Sequence, residues 1–319
     1  MSIIHVVSVS GGKDSAATLL LAIERFGVHR VRGIFCDTGN EHEAVYEYLD
    51  YLQLATGVTI TRLTANFDAE IANKRMFIAR DVRTRRDAAG RRVRWTNKAK
   101  RRALAVLHPT GNPFLDLCLW KGRFPSRKAQ FCTEHLKRNM AVDYQLSLIE
   151  SGHTVVSWQG VRRDESLSRA NAKKFETAGG GLFIFRPLVE WTAAQVFSYC
   201  AQKQIMPNPL YKQGMGRVGC MPCINASKEE VRQIAARFPG HISRIEEWER
   251  LVGQASKWNA ATFMHRSSGK SLNNQQIVES ANIVAVVRWA QTSRGGRQFS
   301  LLTALEEPTA CASAYGLCE

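Results

Sequence analysis

Short apolar runs alternate with helically spaced apolar positions through the first 65 residues of the chain. The β-branched runs at 5–9, 31–35 and 58–63 predict three strands, and the apolar spacing over 15–26 and 44–55 predicts two helices between them. Strands that are separated by helices pair in parallel, through right-handed crossovers. The pattern therefore predicts an α/β fold built on a parallel sheet.

The alternation stops after the third strand and then resumes. Residues 74–130 hold a basic stretch and several prolines, and we expect them to form an insertion over one edge of the sheet. Helical spacing at 133–150 and apolar runs at 154–158 and 182–185 restore the pattern, and Thr192 is expected to begin a further helix. The predicted fold is a doubly wound, mainly parallel sheet.

The character of the chain changes near residue 215. Helical segments rich in Arg, Glu and Gln follow that point. We predict a first domain over 1–215, which carries the insertion 74–130, and a mostly helical C-terminal region over 216–319. A CxxC pair at 220–223 stands close to the start of that second region.

Composition excludes two classes of protein. The chain has 319 residues, of which 45% are hydrophobic and 23% charged, and it has no uncharged apolar run long enough to span a bilayer. Its N-terminus lacks the basic and apolar regions of a signal peptide. We expect an intracellular, cytoplasmic protein with no membrane partner.

The charge of the chain is concentrated in one segment. The chain has 44 Lys and Arg against 28 Asp and Glu, and residues 74–102 hold thirteen of those basic residues against only Asp81 and Asp87. Such a segment predicts a contact with a polyanion, DNA or RNA, with Trp95 and Phe77 stacking on bases. The alternative is a solvated basic face.

A glycine turn stands between the first predicted strand and the first predicted helix. It reads Ser8-Val9-Ser10-Gly11-Gly12-Lys13-Asp14-Ser15. Two glycines let successive backbone N–H groups point into one concavity, and the helix N-terminus adds partial positive charge. The turn lacks the spacing of a Walker loop, so it predicts an anion site of another kind.

Five motifs in one order connect this turn to residue 223. The turn itself resembles the pyrophosphate loop of the adenine nucleotide α-hydrolase superfamily. The later motifs resemble those of the phosphoadenosine phosphosulfate (PAPS) reductase family: Asp-Thr-Gly at 37–39, Gly-Val-Arg-Arg-Asp-Glu-Ser at 160–166 with Arg169, Arg-Pro-Leu at 186–188 with Trp-Thr at 191–192, and Asn-Pro-Leu-Tyr at 208–211 with Gly-Cys-Met-Pro-Cys at 219–223.

The resemblance implies a role for each matching residue. An adenine nucleotide, ATP or a PAPS-like or APS-like compound, would be bound by Ser8, Ser10, Gly11, Gly12, Asp14, Ser15, Asp37, Thr38 and Gly160. Catalysis would depend on Lys13, Asp14, Asp37, Arg162 and Arg169. Asp14 would orient the loop or bind Mg²⁺, and the two arginines would bind a phosphate or sulfate oxyanion.

Simpler interpretations of some of these residues stay open. Arg162 and Arg169 would serve equally as surface ion-pair partners of Asp164 and Glu165. Asp37 would serve as the cap of a turn, a role compatible with ligand binding. A GxGxxG match at 214–219 runs into the CxxC instead of a helix, so it does not predict a dinucleotide site.

The CxxC pair Cys220 and Cys223 predicts a metal or cluster site. In the resembled family, a [4Fe–4S] cluster takes a Cys-Cys pair before a basic helix and a later CxxC. This chain has only Cys132 at the first of these places, so the fourth ligand would come from Cys318 or from Cys311. Alternatively, both of these cysteines would join the CxxC in a four-thiolate cluster or zinc site and leave Cys132 free. Zinc is the alternative metal.

The remaining cysteines have other predicted roles. Cys318 is an alternative candidate for a redox thiol, because the reductases carry a nucleophilic cysteine in a C-terminal tail. This chain matches that tail only in part. Cys36, Cys118 and Cys200 are predicted to be small core residues.

These observations lead to three hypotheses on function. The first is a PAPS reductase-family enzyme that performs sulfur transfer or reduction on an adenylyl nucleotide, with an electron or sulfur donor protein as partner. The second is an ATP pyrophosphatase of DNA phosphorothioation or RNA thiolation. The third, from another class, is a noncatalytic nucleic-acid-binding protein.

Overall fold

The structure is a computed structural model, and it describes residues 2–86, 90, 92–166, 169–264 and 273–293. These residues form two compact units. The first contains the described parts of 1–64 and 136–221, and the second those of 65–135 and 222–308. These units are defined by contacts between residues and not by function. The functional domains expected at 1–215 and 216–319 therefore stay a prediction.

The first unit is built on a six-stranded sheet. Its strands are β1 (Ile3–Ser8), β2 (Val31–Asp37), β3 (Ile60–Thr64), β6 (Thr154–Trp158), β7 (Phe175–Gly179) and β8 (Leu182–Phe185). The spatial order is β3-β2-β1-β6-β8-β7, and every pair is parallel except β7 with β8. The predicted doubly wound, mainly parallel sheet is confirmed.

Helices flank this sheet. They are α1 (Lys13–Phe26), α2 (Glu43–Thr56), α7 (Asn139–Glu150), α8 (Ala193–Gln202) and α9 (Pro209–Lys212). Helix α1 packs on β1 and on α8, while α7 packs on β2, β3 and β6. A π-helical turn at Glu134–Arg138 leads into α7, where the sequence predicts one continuous helix.

The centre of the sheet is buried and apolar. Val6, Ile34 and Val155 come from the three adjacent strands β1, β2 and β6, and they form one buried cluster. Next to it, the Trp158 indole N–H donates a 3.0 Å hydrogen bond to His5 Nδ1. These contacts fix the strand ends from which the candidate site is built, because close-packed side chains resist displacement.

The second unit is mostly helical. Its helices are α3 (Asp68–Arg80), α4 (Asn97–Val106), α5 (Pro113–Lys121), α6 (Phe131–Thr133), α10 (Lys228–Arg237), α11 (Pro239–Ala255), α12 (Asn274–Ala281) and α13 (Ile283–Ala290). A two-stranded antiparallel ribbon, β4 (Arg85–Arg86) and β5 (Arg92–Val93), lies between α3 and α4 in the chain. The predicted helical character after residue 216 is confirmed.

Aromatic residues form the core of the second unit. Phe114 stacks on Trp248 at 5.6 Å between ring centroids, and Phe263 packs against Phe114 and Phe124. The carboxylate of Glu249 is buried beside this core and accepts hydrogen bonds from backbone N–H groups. Among the described residues, no helix has the length and apolar character to cross a membrane.

Candidate active site

The glycine turn closes on itself between β1 and α1. Gly11 has φ +75°, a left-handed conformation that glycine adopts without strain. The backbone N–H of Ser10 donates a 3.0 Å hydrogen bond to Ser15 Oγ, and Ser15 Oγ donates one of 2.8 Å to the Gly12 carbonyl. Ser15 therefore holds the loop in the shape of a shallow cup at the start of α1.

The N-terminus of α1 faces this cup. Asp14 and Ser15 lie in the first turn, where backbone N–H groups have no carbonyl partner inside the helix. Such N–H groups, together with the helix dipole, favour a bound anion. The loop thus has the local structure that the sequence predicts for a phosphate site.

Two residues from the Asn-Pro-Leu-Tyr motif form hydrogen bonds with the backbone of the loop. Tyr211 is buried, and its hydroxyl accepts a 3.0 Å hydrogen bond from the Lys13 backbone N–H. Asn208 Nδ2 donates to the carbonyls of Gly11 and Ala44, at 3.2 and 3.3 Å. The motif is part of the family resemblance, but no site role was predicted for Asn208 or Tyr211 from the sequence.

The Lys13 side chain lies close to a carboxylate and to two aromatic rings. Its ammonium nitrogen lies 3.2 Å from Asp14 Oδ2, and it lies 5.6 and 5.9 Å from the ring centroids of Tyr211 and Phe197. The lysine is only 6% exposed. Aromatic faces and a carboxylate both stabilise a cation, so the structure keeps this charge close to the loop.

Asp14 is shared between two basic residues. Arg162 Nε lies 2.7 Å from Asp14 Oδ1, and the Arg162 side chain is 5% exposed. This contact is an ion pair without hydrogen-bond geometry, so neither atom has a hydrogen-bond partner among the described residues. Arg162 Nη1 also donates to Asp164 Oδ2 at 2.7 Å. Both predicted roles of Arg162, at the site and in an ion pair, are compatible with this position.

Gly160 lies directly against the loop. A Cβ atom at this position would come within 2.8 Å of the backbone carbon and oxygen of Asp14. Real Cβ atoms do not approach backbone so closely, so a side chain here would displace Asp14. Gly160 therefore allows its backbone to lie against the loop, and its binding of the nucleotide stays a prediction.

Arg169 lies in the same electrostatic environment. It pairs with Glu165, as the simpler interpretation predicts. Desolvation, with the positive charges of Arg217 and Arg162, lowers the pKa of Arg169, while the charge of Asp14 opposes that shift. A bound oxyanion would relieve this crowding of cations.

A cleft beside Arg169 leads away from the β6 end. Its volume is about 380 Å³, and Gln159, Arg169, Lys173 and Arg186 are among its lining residues. Arg186 Nε donates to Gln159 Oε1 at 3.0 Å, which orients both polar groups. Glu176 also lines the cleft and pairs with Arg186 at 2.6 Å, so the cleft carries both signs of charge.

Asp37 and Thr38 stand where β2 ends. Asp37 Oδ1 accepts 2.8 Å hydrogen bonds from the Gly39 N–H and the Tyr46 hydroxyl, so the predicted turn cap is present. Thr38 Oγ1 donates to the carboxylate of Glu41 at 2.8 Å. Since β1 and β2 are parallel neighbours, this turn and the glycine turn lie at the same edge of the sheet, where open α/β sheets bind ligands.

Cys220 contacts the turn that follows β2. Its Sγ lies 3.4 Å from Thr38 Oγ1 and 3.6 Å from Glu41 Oε1, and the Met221 N–H donates to the Asn40 carbonyl at 2.7 Å. Sequence reasoning missed Glu41, which is 5% exposed. An acid two residues after the Asp-Thr-Gly motif is the signal that could have found it.

The other predicted cluster cysteines lie in the second unit or outside the described residues. Cys132 and Cys223 are half-buried, and Cys223 Sγ accepts a hydrogen bond from the Asn225 N–H at 3.5 Å. Backbone N–H groups that point at sulfur stabilise a ligating thiolate. Cys311 and Cys318 lie outside the described residues.

The three remaining cysteines have the environment of packed core residues. Cys118 and Cys200 are buried, and Cys36 is partly buried. Burial raises the pKa of the Cys36 thiol to about 11 and that of the Cys200 thiol to about 12. Thiols with such pKa values stay protonated at neutral pH and are poor nucleophiles.

The basic segment requires one correction. Trp95 is buried, only 9% exposed, with the Lys257 ammonium 5.5 Å from its ring centroid. Phe77 is 42% exposed, but the Arg83 guanidinium lies 4.7 Å from its ring centroid. The prediction that Trp95 would stack on bases is wrong, because that ring is needed in the packing of the second unit.

Comparison with known proteins identifies the family. The profile of the phosphoadenosine phosphosulfate reductase domain matches residues 4–226, more than half of the chain. The chain belongs to this family. The PAPS reductase family binds adenine nucleotides, and the observed sheet, with its flanking helices, fits an enzyme of the adenine nucleotide α-hydrolase type.

Relatives of this PAPS reductase-family chain are of several kinds. It is 44% identical to an uncharacterized 37.8 kDa protein in the gpa 5'region of Escherichia phage 186, over 100% of this chain and 97% of that one. It is 32% identical to the adenosine 5'-phosphosulfate reductase of Burkholderia cepacia, over only 28% of this chain and 32% of that one.

A solved structure shows a weaker similarity. The PAPS reductase of Candida auris, in a phosphate complex, superposes with a TM-score of 0.41 at 17% sequence identity. The superposition covers 70% of this chain and 83% of that chain. The family assignment rests on the match over residues 4–226 and not on this similarity.

Proposed function

We propose that this protein is a PAPS reductase-family enzyme that binds an adenylyl nucleotide in the loop 8–15 and performs sulfur transfer or reduction on it. One observation supports this proposal most strongly. The ion pair between Asp14 Oδ1 and the buried Arg162 Nε, 2.7 Å apart, joins the loop after β1 to the segment after β6. It places a carboxylate and a guanidinium beside the loop, where a guanidinium can bind an oxyanion of a nucleotide.

The loop residues would bind the phosphate groups of the nucleotide. The cup formed by Ser10, Gly11, Gly12 and Ser15 offers backbone N–H groups, and α1 adds its dipole. Lys13 would neutralise part of the phosphate charge as a point charge. Guanidinium groups of Arg162 and Arg169 would bind a second oxyanion, either a further phosphate or a sulfate.

Asp14 also fits a magnesium ion. Carboxylate oxygens are the ligands that Mg²⁺ prefers, and the Asp14 carboxylate, whose side chain is 14% exposed, lies in the first turn after the loop. When bound, Mg²⁺ would neutralise charge on the phosphate oxygens. Lys13 and Arg162 would then hold the Asp14 carboxylate in place between two positive charges.

Four cysteines would hold a [4Fe–4S] cluster, with zinc as the alternative. These are Cys132, Cys220, Cys223 and Cys318. The donor set fits either metal, because thiolates are the preferred ligands of both, and Cys223 already accepts a backbone N–H. When bound, an iron–sulfur cluster would supply electron-transfer or electrostatic chemistry. Cys311 is the alternative fourth ligand.

A second candidate function keeps the same nucleotide site. An ATP pyrophosphatase of a nucleic-acid thiolation pathway would let an acceptor oxygen attack the α-phosphorus of ATP, and pyrophosphate would leave. The exposed arginines of β4 and β5 favour this candidate, because a small-molecule reductase has no need of them. A donor protein would supply sulfur or electrons in either case.

The test of the proposed function compares two double variants. Lys13→Ala/Asp14→Asn alters the loop, whereas Lys203→Ala/Glu24→Gln removes an exposed ion pair of the same unit. Calorimetry would measure binding of ATP, APS and PAPS, and anaerobic assays would measure release of pyrophosphate and sulfite. We expect the loop variant to lose nucleotide binding and turnover, and the control to keep both. Turnover that survives in the loop variant would refute the site.

The products of the same assays separate the candidates. Sulfite release from APS or PAPS supports the reductase, and pyrophosphate release from ATP supports the pyrophosphatase. Nucleic-acid binding with no nucleotide turnover would support the hypothesis of a noncatalytic nucleic-acid-binding protein. Iron and zinc analysis of the anaerobic protein, with Cys223→Ser against Cys200→Ala, tests the cluster. We expect Cys223→Ser to lose metal and Cys200→Ala to keep it.

A further inference from the structure

The ribbon between α3 and α4 places like charges opposite one another. In its register, Arg86 pairs with Arg92 and Arg85 pairs with Val93. We call Arg85, Arg86 and Arg92, all exposed, the arginine ribbon. Like charges directly opposite on a β-ladder lower its stability, and a two-stranded ribbon is marginal by itself. A polyanion bound to the arginine ribbon would remove this repulsion.

Among the described residues of 74–102, the acidic side chain is paired outside the arginine ribbon. In 74–102, Asp81 is the acidic side chain that the structure describes, and it is engaged by Arg83, whose Nε lies 2.7 Å from Asp81 Oδ1. Arg86 Nη1 donates to the Gly90 carbonyl at 2.8 Å, which orients the guanidinium without cancelling its charge. Among the residues that the structure describes, the arginines of the ribbon therefore have no acidic partner.

Other basic residues of the segment have structural roles. Arg75 donates to the carbonyls of Leu104 and Leu107 at 2.8 and 2.7 Å. Arg102 donates to the carbonyls of Gln254 and Ser256 at 3.2 and 2.8 Å. These arginines hold helices of the second unit together. Arg75 and Arg102 therefore differ from the arginine ribbon, whose side chains are exposed.

The field around the arginine ribbon is strongly positive. Burial lowers the pKa of Lys257, and the charges of Arg85 and Arg83 lower it further, although Asp81 opposes them. Burial and the charges of Lys257 and Lys121 likewise lower the pKa of Lys74. Several cations thus repel one another on this part of the second unit, which favours a ligand with many negative charges.

The aromatic residues argue against a single-stranded ligand. Nonspecific binding of single strands depends on aromatic faces on which bases stack. Trp95 is buried, and the face of Phe77 is covered by Arg83. The described part of the segment therefore offers several exposed arginines but only one partly exposed aromatic ring, Phe77, which suits the phosphate backbone of a duplex better than stacked bases.

We propose that the arginine ribbon binds the phosphate backbone of duplex DNA. A two-stranded β-ribbon fits along the major groove of B-DNA, where its arginines would reach the phosphates at the groove edges, whereas the deep and narrow major groove of A-form RNA does not admit it. Contacts to phosphates carry no sequence information, so this surface binds duplexes with little sequence preference. The inference does not rest on the proposed nucleotide reaction, since it concerns residues of the second unit alone.

A matched pair of variants tests the proposal. Arg86→Gln/Arg92→Gln removes the opposed arginines, and Arg30→Gln/Arg32→Gln removes the same charge from exposed positions of the first unit. Fluorescence anisotropy would measure the Kd for a 30-base-pair random-sequence DNA at several salt concentrations, without nucleotide. Urea unfolding would show that both variants are folded, and relief of repulsion should leave the ribbon variant no less stable.

The expected result is specific to the ribbon. Each lost phosphate contact reduces the slope of log Kd against log salt by about 0.9, so we expect a reduction of about 2 in the ribbon variant. The affinity should fall about tenfold or more. The control variant should keep most of the wild-type affinity.

Three results would overturn the proposal: no DNA binding by the wild type, equal losses in the two variants, or tighter binding of single-stranded DNA or duplex RNA than of duplex DNA. The Lys13→Ala/Asp14→Asn protein should keep its DNA affinity. The duplex-binding surface and the proposed nucleotide function can therefore fail independently.

Discussion

The backbone N–H of Lys13 donates a 3.0 Å hydrogen bond to the hydroxyl of Tyr211, 198 residues later in the chain. This bond satisfies the first N–H of α1 with a buried side chain instead of a ligand. It also places the Tyr211 ring below the lysine ammonium. One tyrosine thus supports both the backbone and the charge of the phosphate loop.

Tyr211→Phe should weaken nucleotide binding. The ring would remain, but the buried Lys13 N–H would lose its acceptor, which costs about 1–3 kcal/mol. We expect a lower free energy of unfolding and a higher Kd for the nucleotide, measured by urea unfolding and calorimetry. The Kd should rise because a loop whose Lys13 N–H lacks an acceptor would change conformation to reach another partner, and would then no longer match the nucleotide.

Tyr48→Phe is the matched control for this change. Tyr48 is also buried in the first unit, and its hydroxyl donates to the Met206 carbonyl at 2.8 Å, in a different part of the unit. This variant should lose stability without a comparable change in nucleotide Kd. Equal effects of the two variants on Kd would contradict a specific role of Tyr211.

Gly160→Ala should displace the loop. The new methyl group would lie 2.8 Å from the backbone of Asp14, too close for either group to remain in place. We expect destabilisation of about 1–3 kcal/mol, as for other overpacked sites, and nucleotide affinity at least tenfold lower. Thermal unfolding and calorimetry would measure the two effects.

Gly240→Ala provides the comparison for that substitution. A Cβ atom at Gly240 meets no heavy atom within 4 Å, and the residue lies in the first turn of α11. Alanine at this position should be neutral or stabilising, because it favours helix. A Gly160→Ala protein with wild-type affinity would show that close approach at this position is dispensable.

Arg162→Lys should fail to replace the arginine. The guanidinium contacts Asp14 and Asp164 through different nitrogens, whereas a lysine ammonium is a single point charge. Breaking a buried ion pair costs about 3 kcal/mol. We expect a clear loss of stability and of nucleotide affinity, measured by urea unfolding and calorimetry.

The neighbouring arginine supplies the control. Arg163 is 41% exposed and pairs with Glu190 at 3.4 Å. Exposed pairs contribute about 0–1 kcal/mol, so Arg163→Lys should change little. If Arg162→Lys were equally mild, the ion pair with Asp14 would have no functional importance.

Glu249 should make the stability of the second unit depend on pH. Burial raises its pKa to about 7, although hydrogen bonds from the Phe263 and Ile283 N–H groups oppose the shift. The folded state then binds a proton that the unfolded state releases above about pH 4.5. Stability is therefore lost as pH rises from about 4.5 to 7, by about 1.4 kcal/mol per pH unit and about 3 kcal/mol in total.

Glu249→Gln should remove this dependence. We would measure urea unfolding from pH 5 to 8 for wild type, Glu249→Gln and Glu247→Gln. Glu247 lies on the same helix, is exposed, and has its pKa lowered by a hydrogen bond from Arg250, so its contribution is constant over this range. Parallel wild-type and Glu249→Gln curves would show that Glu249 does not titrate there.

Sequence patterns predicted much of the fold. Strands were expected at 154–158 and 182–185, and β6 and β8 have these bounds. Thr192 caps α8, as its position before the apolar spacing suggested. These predictions succeeded because alternation and caps are local properties of the chain.

The structure of the insertion was less predictable. A stretch dominated by Arg has no clear period, so the helices α3 and α4 and the short ribbon could not be located within it from the sequence. The burial of Trp95 was missed for a related reason. Its partner Lys257 lies far away in the sequence, and only tertiary packing brings them together.

By itself, the sequence determined the parallel sheet, the glycine loop and the family, since each depends on residues that are close together in the chain or on the order of motifs along it. Only the tertiary structure decided which distant residues support the loop. Tyr211, Asn208 and Arg162 contact it because the strands and their connections converge at one edge of the sheet. Long-range contacts of this kind leave no periodic signal in the sequence, because packing and not spacing selects the partners.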